Sequence, residues 1–328
     1  MQISIPSILT LPPCGNKTGW PWMEVTTMLP PSMPDDFTWP RISIVTPSYN
    51  QVQFIEQTIR SVLLQGYPNL EYIIIDGGST DGSVEIIKKY ESWLAYWVSE
   101  KDRGQSHAIN KGFARSTGEI MAWINSDDYY MPGAFTKVVE IFSHQETMWL
   151  AGKCYQINVD GIIKPGYGRP LEEMENWFHG NLYAQPAVFW RRALWEKTKG
   201  VDESLQYSFD YDLWMKFSQT QLFAFWTDQE LAFFRIHSQS KTFTSLLIFD
   251  KEDWAIFQRY KHRINNYPKW FVLWWRRREQ TANRYLFISD TSQSPGRKIL
   301  LGIAFAPWYL FRRKFYSKAK NILFPKKK

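Results

Sequence analysis

The stretch "ISIVTPSYNQVQFIEQTIRSVLLQ", Ile42 to Gln65, decides the fold. Its first half is an apolar, β-branched run that stops at turn residues, and its second half places Phe54, Ile55, Ile59, Val62 and Leu63 on one helical stripe. The spacing predicts a strand followed by a helix. The pattern returns in "EYIIIDGGS" with "GSVEIIKKYESW", in "LAYWVSE" with "SHAINKGFARS", and in "EIMAWINSDD" with "GAFTKVVEIF". Consecutive strand-helix units imply an α/β domain whose mainly parallel sheet carries helices on both faces through right-handed crossovers. Ligands bind such sheets at the carboxyl ends of the strands. The polar residues there are therefore the site candidates: Thr46, Tyr49 and Asn50, Asp76, Glu100 and Asp102, and the pair Asp127 and Asp128.

Outward from this repeat the character changes on both sides. Residues 1–40 hold eight of the eighteen prolines and predict an extended arm lying on the body rather than a regular helix. Beyond Phe142 the rhythm is mixed. "MWLAGKCYQINVDGIIKPGYG" reads as two strands joined at Val-Asp-Gly, "QPAVFWRRALWEKT" as strand plus helix, "FDYDLWMKFSQ" as helix, and "LFAFWT" and "LAFFRIH" as two strands. The body thus divides into 41–142 and 143–245, and 246–328 reads as a basic helical extension. With 328 residues and 44% hydrophobic content, the chain can bury a full core. Its two cysteines, Cys14 and Cys154, have neither metal spacing nor a disulfide framework, which suits a reducing compartment. The N-terminus lacks the pattern of a signal peptide, so export is not expected.

Net charge hides a division. Residues 263–328 carry sixteen Lys and Arg against Glu279 and Asp290, which is +14, and the whole chain is +7, so residues 1–262 carry 7 − 14 = −7. A nucleic-acid protein would spread positive charge over its folded body; a basic, Trp-rich end beside an acidic body points instead to an anionic membrane surface. The apolar run "ILLGIAFAPWYLF" has thirteen residues, short of the ~20 that a helical span needs, and is expected to lie on a bilayer. Docking on the body is the alternative.

Adjacent carboxylates at a strand end repel each other unless a cation or hydrogen-bond donors meet them. Hard oxygen ligands suit Mg2+ or Mn2+, which are commonly shared with substrate phosphates, so Asp127 and Asp128 suggest a metal diphosphate. A solvated turn with Asp128 capping the next helix reads the same by itself. Asp76, at a second strand end in a Gly-rich turn, would accept from the imide of a uracil or another base. "DGGSTDGS" lacks the Lys of a Walker loop, which disfavours a kinase or ATPase.

"ISIVTPSYNQ", "IIIDGGSTDGS", "SEKDRGQSHAINKG", "TGEIMAWINSDDYYMPGA" and "FDYDLWMKF" together resemble the inverting glycosyltransferases of the bacterial family 2 type, which build polysaccharides and cell envelopes on a GT-A, Rossmann-like fold. The resemblance runs from about Arg41 to Ser240. It implies that 41–142 binds the nucleotide and 143–245 the acceptor. Thr46, Pro47, Tyr49 and Asn50 would line the nucleoside pocket, Asp76 would hold the base, and Asp127 would contact the ribose. Asp128 would bind the metal on the diphosphate of a nucleotide sugar, UDP-linked by expectation, joined by His237. Gly104 and Gln105 would touch the donor. Asn125 stands where many relatives carry the first acid of an acid-x-acid triplet, which weakens a bidentate metal arrangement.

Inverting transfer needs a general base for the acceptor hydroxyl and positive charge for the departing diphosphate. On a helix, Asp210 shares a face with Leu213, Trp214 and Phe217, whereas Asp212 points about 200° away. The family pattern also places its base at Asp210, although a helix cap is the plain alternative. Trp177, His179 and Trp190 would stack on an acceptor sugar or fill core. The expected enzyme is a hexosyl- or N-acetylhexosaminyl-transferase, peripheral on the inner membrane face, acting on a glycan or lipid-linked acceptor. A polyprenyl-phosphate sugar transferase and a silent nucleotide- or glycan-binding protein are the alternatives.

Overall fold

The computed structural model describes residues 6–33, 37–158, 160–165, 168, 170, 181, 183–241, 246–260 and 262. It divides into two units, Met1–Ser245 and Leu246–Lys328. In the first unit, β1 (Ile42–Ser48), α1 (Ile55–Leu63), β2 (Leu70–Asp76), α2 (Ser83–Lys89), β3 (Tyr96–Ser99), α3 (Gln105–Phe113), β4 (Ile120–Trp123), β5 (Tyr129–Tyr130) and α4 (Ala134–Phe142) follow one another. Then come β6 (Trp149–Asn158), β7 (Ile163–Pro165), β8 (Val188–Arg191), α5 (Arg192–Thr198), α6 (Phe209–Phe217) and β9 (Phe225–Ile236). The second unit contributes α7 (Leu246–Tyr260), on which the rings of Trp254 and Phe257 lie 5.7 Å apart. The basic sequence beyond residue 262 lies outside the described residues, as do Trp177 and His179. Among the described residues no helix is long and apolar enough to cross a membrane.

One sheet runs in the order β3-β2-β1-β4-β8-β6-β9-β5, with β7 on β6. The first four strands are parallel, as the repeat predicts. From β1 the chain steps outward to β2 and β3, then returns to place β4 on the other side of β1. The order therefore reverses between β1 and β4, and a crevice opens outside the carboxyl ends at such a switch point. β1 is buried at every position, because helices cover both faces. Gly112 lets α3 approach closely: a Cβ there would meet Val45 Cγ1 at 2.5 Å.

In the 143–245 half, β8 runs antiparallel to β4 and β6, while β9 pairs in parallel with β6. The two expected strands "LFAFWT" and "LAFFRIH" are one continuous strand. A register irregularity opposite Ala151 to Cys154 absorbs the polar break at Asp228–Glu230, so pairing persists through it. Trp190 is fully buried against Trp123 (5.4 Å) and Trp214 (5.9 Å), so it is core and not an acceptor platform.

The Pro-rich arm forms no helix or strand among its described residues, and it is docked. Arg60, buried on α1, donates to the carbonyls of Pro12, Pro21 and Trp22 at 2.9–3.2 Å. Trp22 is buried beneath it, and Trp20 Nε1 donates to Tyr130 O at 2.7 Å.

Candidate active site

The strand ends are in register: Ser48 lies opposite Asp76, and Asp76 opposite Ser99. Asp76 is wholly buried. Its Oδ2 accepts from Gly78 N (3.1 Å), Ser79 N (2.8 Å) and Ser99 Oγ (2.7 Å), and its Oδ1 accepts from Ser79 Oγ (2.5 Å). A carboxylate offers about four acceptor positions, and these bonds tie Asp76 to its own turn and its neighbour strand. It builds the loop. Three of these four bonds fall on Oδ2, so of the two oxygens only Oδ1 keeps room for the base-accepting role expected of Asp76.

That loop is in turn fastened to the turn after β1. Asn50 adopts a left-handed φ of 52°, its N–H donates to Ser79 Oγ (2.7 Å), and its Oδ1 accepts from Thr80 N (3.0 Å). Gln51 N and Val52 N donate to Ser83 Oγ and Asp81 Oδ2, both at 2.9 Å. "TPSYNQ" and "DGGSTDGS" thus form a single shelf. Thr46 is buried beneath it, bonded to the Tyr72 hydroxyl at 3.0 Å, and Pro47 lies in the same strand. Tyr49 stands out at 62% exposure. Asp102 faces the same spot: its Oδ1 caps Gly104 N at 2.8 Å, while its Oδ2 sits 3.0 Å from where a Cβ on Gly77 would be, beside the Tyr49 ring. Tyr49, Gly77 and Asp102 thus come together at the strand ends.

At the other side of the switch point, the two acids behave differently. Asp128 is completely buried. Its Oδ1 accepts from Arg235 N (2.8 Å) and its Oδ2 from Asn125 Nδ2 (3.3 Å). Burial, and then the charge of Asp127, push its carboxyl well above the usual carboxylate range. Asp127 keeps 19% of its side chain exposed, and its Oδ2 lies 3.0 Å from Nε2 of His237, which follows β9. Asp128 and His237 are expected to meet one metal; the structure sets Asp127, and not Asp128, beside His237. The Phe54 ring lies 4.7 Å from the His237 ring and 4.6 Å from the Arg235 guanidinium.

The Asp127 carboxylate is a hard O donor of the kind Mn2+ and Mg2+ take, and the adjacent His237 imidazole is a borderline N donor that fits Mn2+ better than Mg2+. Among the described residues no third His, Cys, Asp or Glu joins them, so the remaining positions would fall to water and phosphate oxygens, as such cations prefer.

The N-terminus of α3 connects this pair to the 143–245 half. Gln105 Nε2 donates to Asn125 Oδ1 at 2.6 Å, and a Cβ on Gly104 would meet Gln206 Oε1 at 3.4 Å. Gln206 O accepts from Lys241 Nζ at 2.8 Å. Four residues on, Asp210 opens α6, half-buried, with Oδ2 accepting from Asn181 Nδ2 (2.6 Å) and Oδ1 from Tyr211 N (2.8 Å). Asp212, expected on the outer face, is instead fully buried 2.9 Å from Lys216 Nζ. α6 is covered nearly all round, and its single-stripe reading fails for that reason. Sequence reasoning missed Asn181, Gln185 and Thr58, which act by contacts across 29, 60 and 70 residues that no local pattern announces.

Residues 43–197 match the pattern of Glycosyl transferase family 2. These residues belong to that family. An uncharacterised glycosyltransferase of Rickettsia typhi is 28% identical over 221 residues, 63% of this chain and 67% of its own length. The putative teichuronic acid biosynthesis glycosyltransferase TuaG of Bacillus subtilis is 38% identical over 104 residues, 31% of this chain and 41% of its own. The fold is shared with S. aureus TarS 1–349, solved in complex with UDP-GlcNAc (TM-score 0.56, 17% identity, 86% of this chain and 88% of that one). It is also shared with mannosyltransferase PcManGT from Pyrobaculum calidifontis, solved with GDP-Man and Mn2+ (TM-score 0.55, 15% identity, 88% of each). The matched residues run from β1 through β8 into α5, and the sheet order matches a GT-A-like architecture.

Proposed function

We propose that this family 2 protein is an inverting, metal-assisted glycosyltransferase that moves a sugar from a nucleotide-diphosphate donor to a hydroxyl of a glycan or lipid-linked acceptor of the cell envelope. The observation that carries this reading is the Asp127–His237 pair at the turn after β4, beside the β1/β4 switch point. Tyr49 supplies an aromatic face for the base, and Asp102 Oδ2 an acceptor for its N–H. Asp127 and His237 would hold Mn2+ or Mg2+, which when bound supplies positive charge to the departing diphosphate. Asp210 takes the proton of the attacking hydroxyl, and Asn181 Nδ2 and Tyr211 N fix the orientation of its carboxylate. The buried Arg235, stacked on Phe54 and Tyr129, adds a second fixed cation behind Asp127. The TarS and PcManGT complexes carry a UDP-sugar and a GDP-sugar with Mn2+ on the same fold, which supports this donor class. The basic sequence 263–328 would hold the enzyme at an anionic membrane surface, where lipid-linked acceptors lie.

Thermal-shift screening of UDP, GDP and their sugars, with and without Mn2+, tests the reading. A ligand held at about 100 times its Kd stabilises the fold by about 2.7 kcal/mol, a shift of several degrees. Absence of any nucleotide shift with Mn2+ present would refute it.

A further inference from the structure

The loop that carries Asp127 is held by an unusually complete set of main-chain bonds. Asn125 O accepts from Asp128 N (3.0 Å), and Asp127 O from Arg235 Nη1 (2.6 Å). Tyr130 O accepts from Trp20 Nε1 (2.7 Å), and Met131 O from Gln65 Nε2 (2.9 Å). The carbonyls on either side of Asp127, those of Ser126 and Asp128, both lie within reach of one hydroxyl: Thr58 Oγ1, at 3.0 and 2.6 Å. Ser61 Oγ, one turn further along α1, accepts from Tyr130 N at 3.1 Å. Thr58, Ser61 and Gln65 fall at spacings of three and seven, on one face of α1. All three are fully buried.

We infer that Thr58 is a positioning residue for the reaction, acting through the backbone on either side of Asp127 to hold its carboxylate beside His237; this rests on the metal and donor role given to that pair. Buried carbonyls need partners, and Thr58, Ser126 and Asp128 are all buried. Removing the Thr58 hydroxyl therefore obliges the loop to turn one or both carbonyls elsewhere, which swings the side chain between them. Thr58 touches neither donor nor metal. A small rotation suffices to loosen a metal site, and side chains that orient ligands from behind are worth about 10- to 100-fold in metal affinity. Threonine at a buried helix position would otherwise be a poor choice beside valine, since it carries a hydroxyl into an apolar setting.

The test uses the full chain and Mn2+ with UDP as probe, read by calorimetry alongside the melting temperature. Thr58→Val is expected to lower the Mn2+-dependent gain in UDP affinity about tenfold, leaving UDP binding in chelator unchanged, and Thr58→Ser to restore the gain. Ile87→Ala, a buried α2 change, serves as a control for lost stability and should keep the gain. Should Thr58→Val not fold, Ser61→Ala frees Tyr130 N in the same loop and is expected to act in the same direction. Full Mn2+-dependent gain in the folded variant, or an equal loss in Ile87→Ala, overturns the inference. Asp127→Asn separates the two levels: if it too keeps the gain, the metal reading itself fails; if it alone loses the gain, only the role of Thr58 falls.

Discussion

Exchanging Asp127 and Asp128 separately for Asn divides the site at its most informative point. The two side chains are adjacent in sequence and isosteric with their replacements, yet one faces His237 and the other is sealed under Arg235. Asp127→Asn removes a charge from a partly exposed oxygen that the crevice can reach. A charge-assisted contact is worth about 1.5–3 kcal/mol, so Mn2+-dependent UDP affinity should fall about 10- to 150-fold, and kcat/KM at least as much. Asp128→Asn removes no reachable oxygen, and one of its two bonds accepts from a backbone N–H that an amide oxygen can equally serve. Its Mn2+·UDP affinity should stay within about threefold of the parent, because burial already favours the neutral carboxyl and no oxygen facing the crevice is lost. Calorimetric titration of both folded variants with UDP, with and without Mn2+, reads the difference. Loss of the metal-dependent gain in Asp128→Asn together with its retention in Asp127→Asn would refute the assignment and restore the opposite order.

Asp210→Asn should lower kcat by about 10²- to 10⁴-fold while leaving UDP binding intact; retained turnover would favour a phosphate acceptor, which needs no base, over a hydroxyl. Burial raises the Asp128 carboxyl above its unfolded value, so the protonated native form adds stability below the unfolded pKa, and this is lost as pH rises through the folded one. Asp128→Asn should accordingly gain in melting temperature relative to the parent as pH rises above the usual carboxylate range, and a pH-independent difference would contradict the burial account. Arg60→Met strands the carbonyls of Pro12, Pro21 and Trp22, which should cost about 3 kcal/mol or more and open the arm to limited proteolysis; an arm still protected would show that Arg60 is not its anchor.

The parallel half was legible because each of its elements is announced locally. β1, β2 and β4 are apolar runs closed by turn residues, and the helices after them carry their own stripes, so strand ends and the acids on them could be named from spacing alone. The second half was legible only in part. β9 reads as two strands because its polar middle looks like a turn, and only its partner β6 shows that it is not. Within the site, residue identity was more legible than orientation. Asp127 and Asp128 carry the same side chain one residue apart, and what separates them is Arg235, 107 residues away from Asp128. Asp76 looks like a ligand because it ends a strand before glycines, yet Gly78 and Ser79 turn their own N–H groups onto it.

The arm carries the same lesson in energetic form. Arg60 is 1% exposed, and no carboxylate lies within ion-pair distance of it among the described residues, so its charge is met by carbonyl dipoles, the Tyr90 hydroxyl and the Trp22 ring. Burying a guanidinium costs several kcal/mol unless such groups surround it, and three of them are carbonyls of the Pro-rich segment. Proline suits this task because it leaves the carbonyl free while removing an N–H that would need its own partner. The arm is therefore part of the folded unit rather than a leader to it. Through Trp20 it also reaches Tyr130, three residues beyond Asp127, so the segment with the least regular structure bears on the loop whose position matters most.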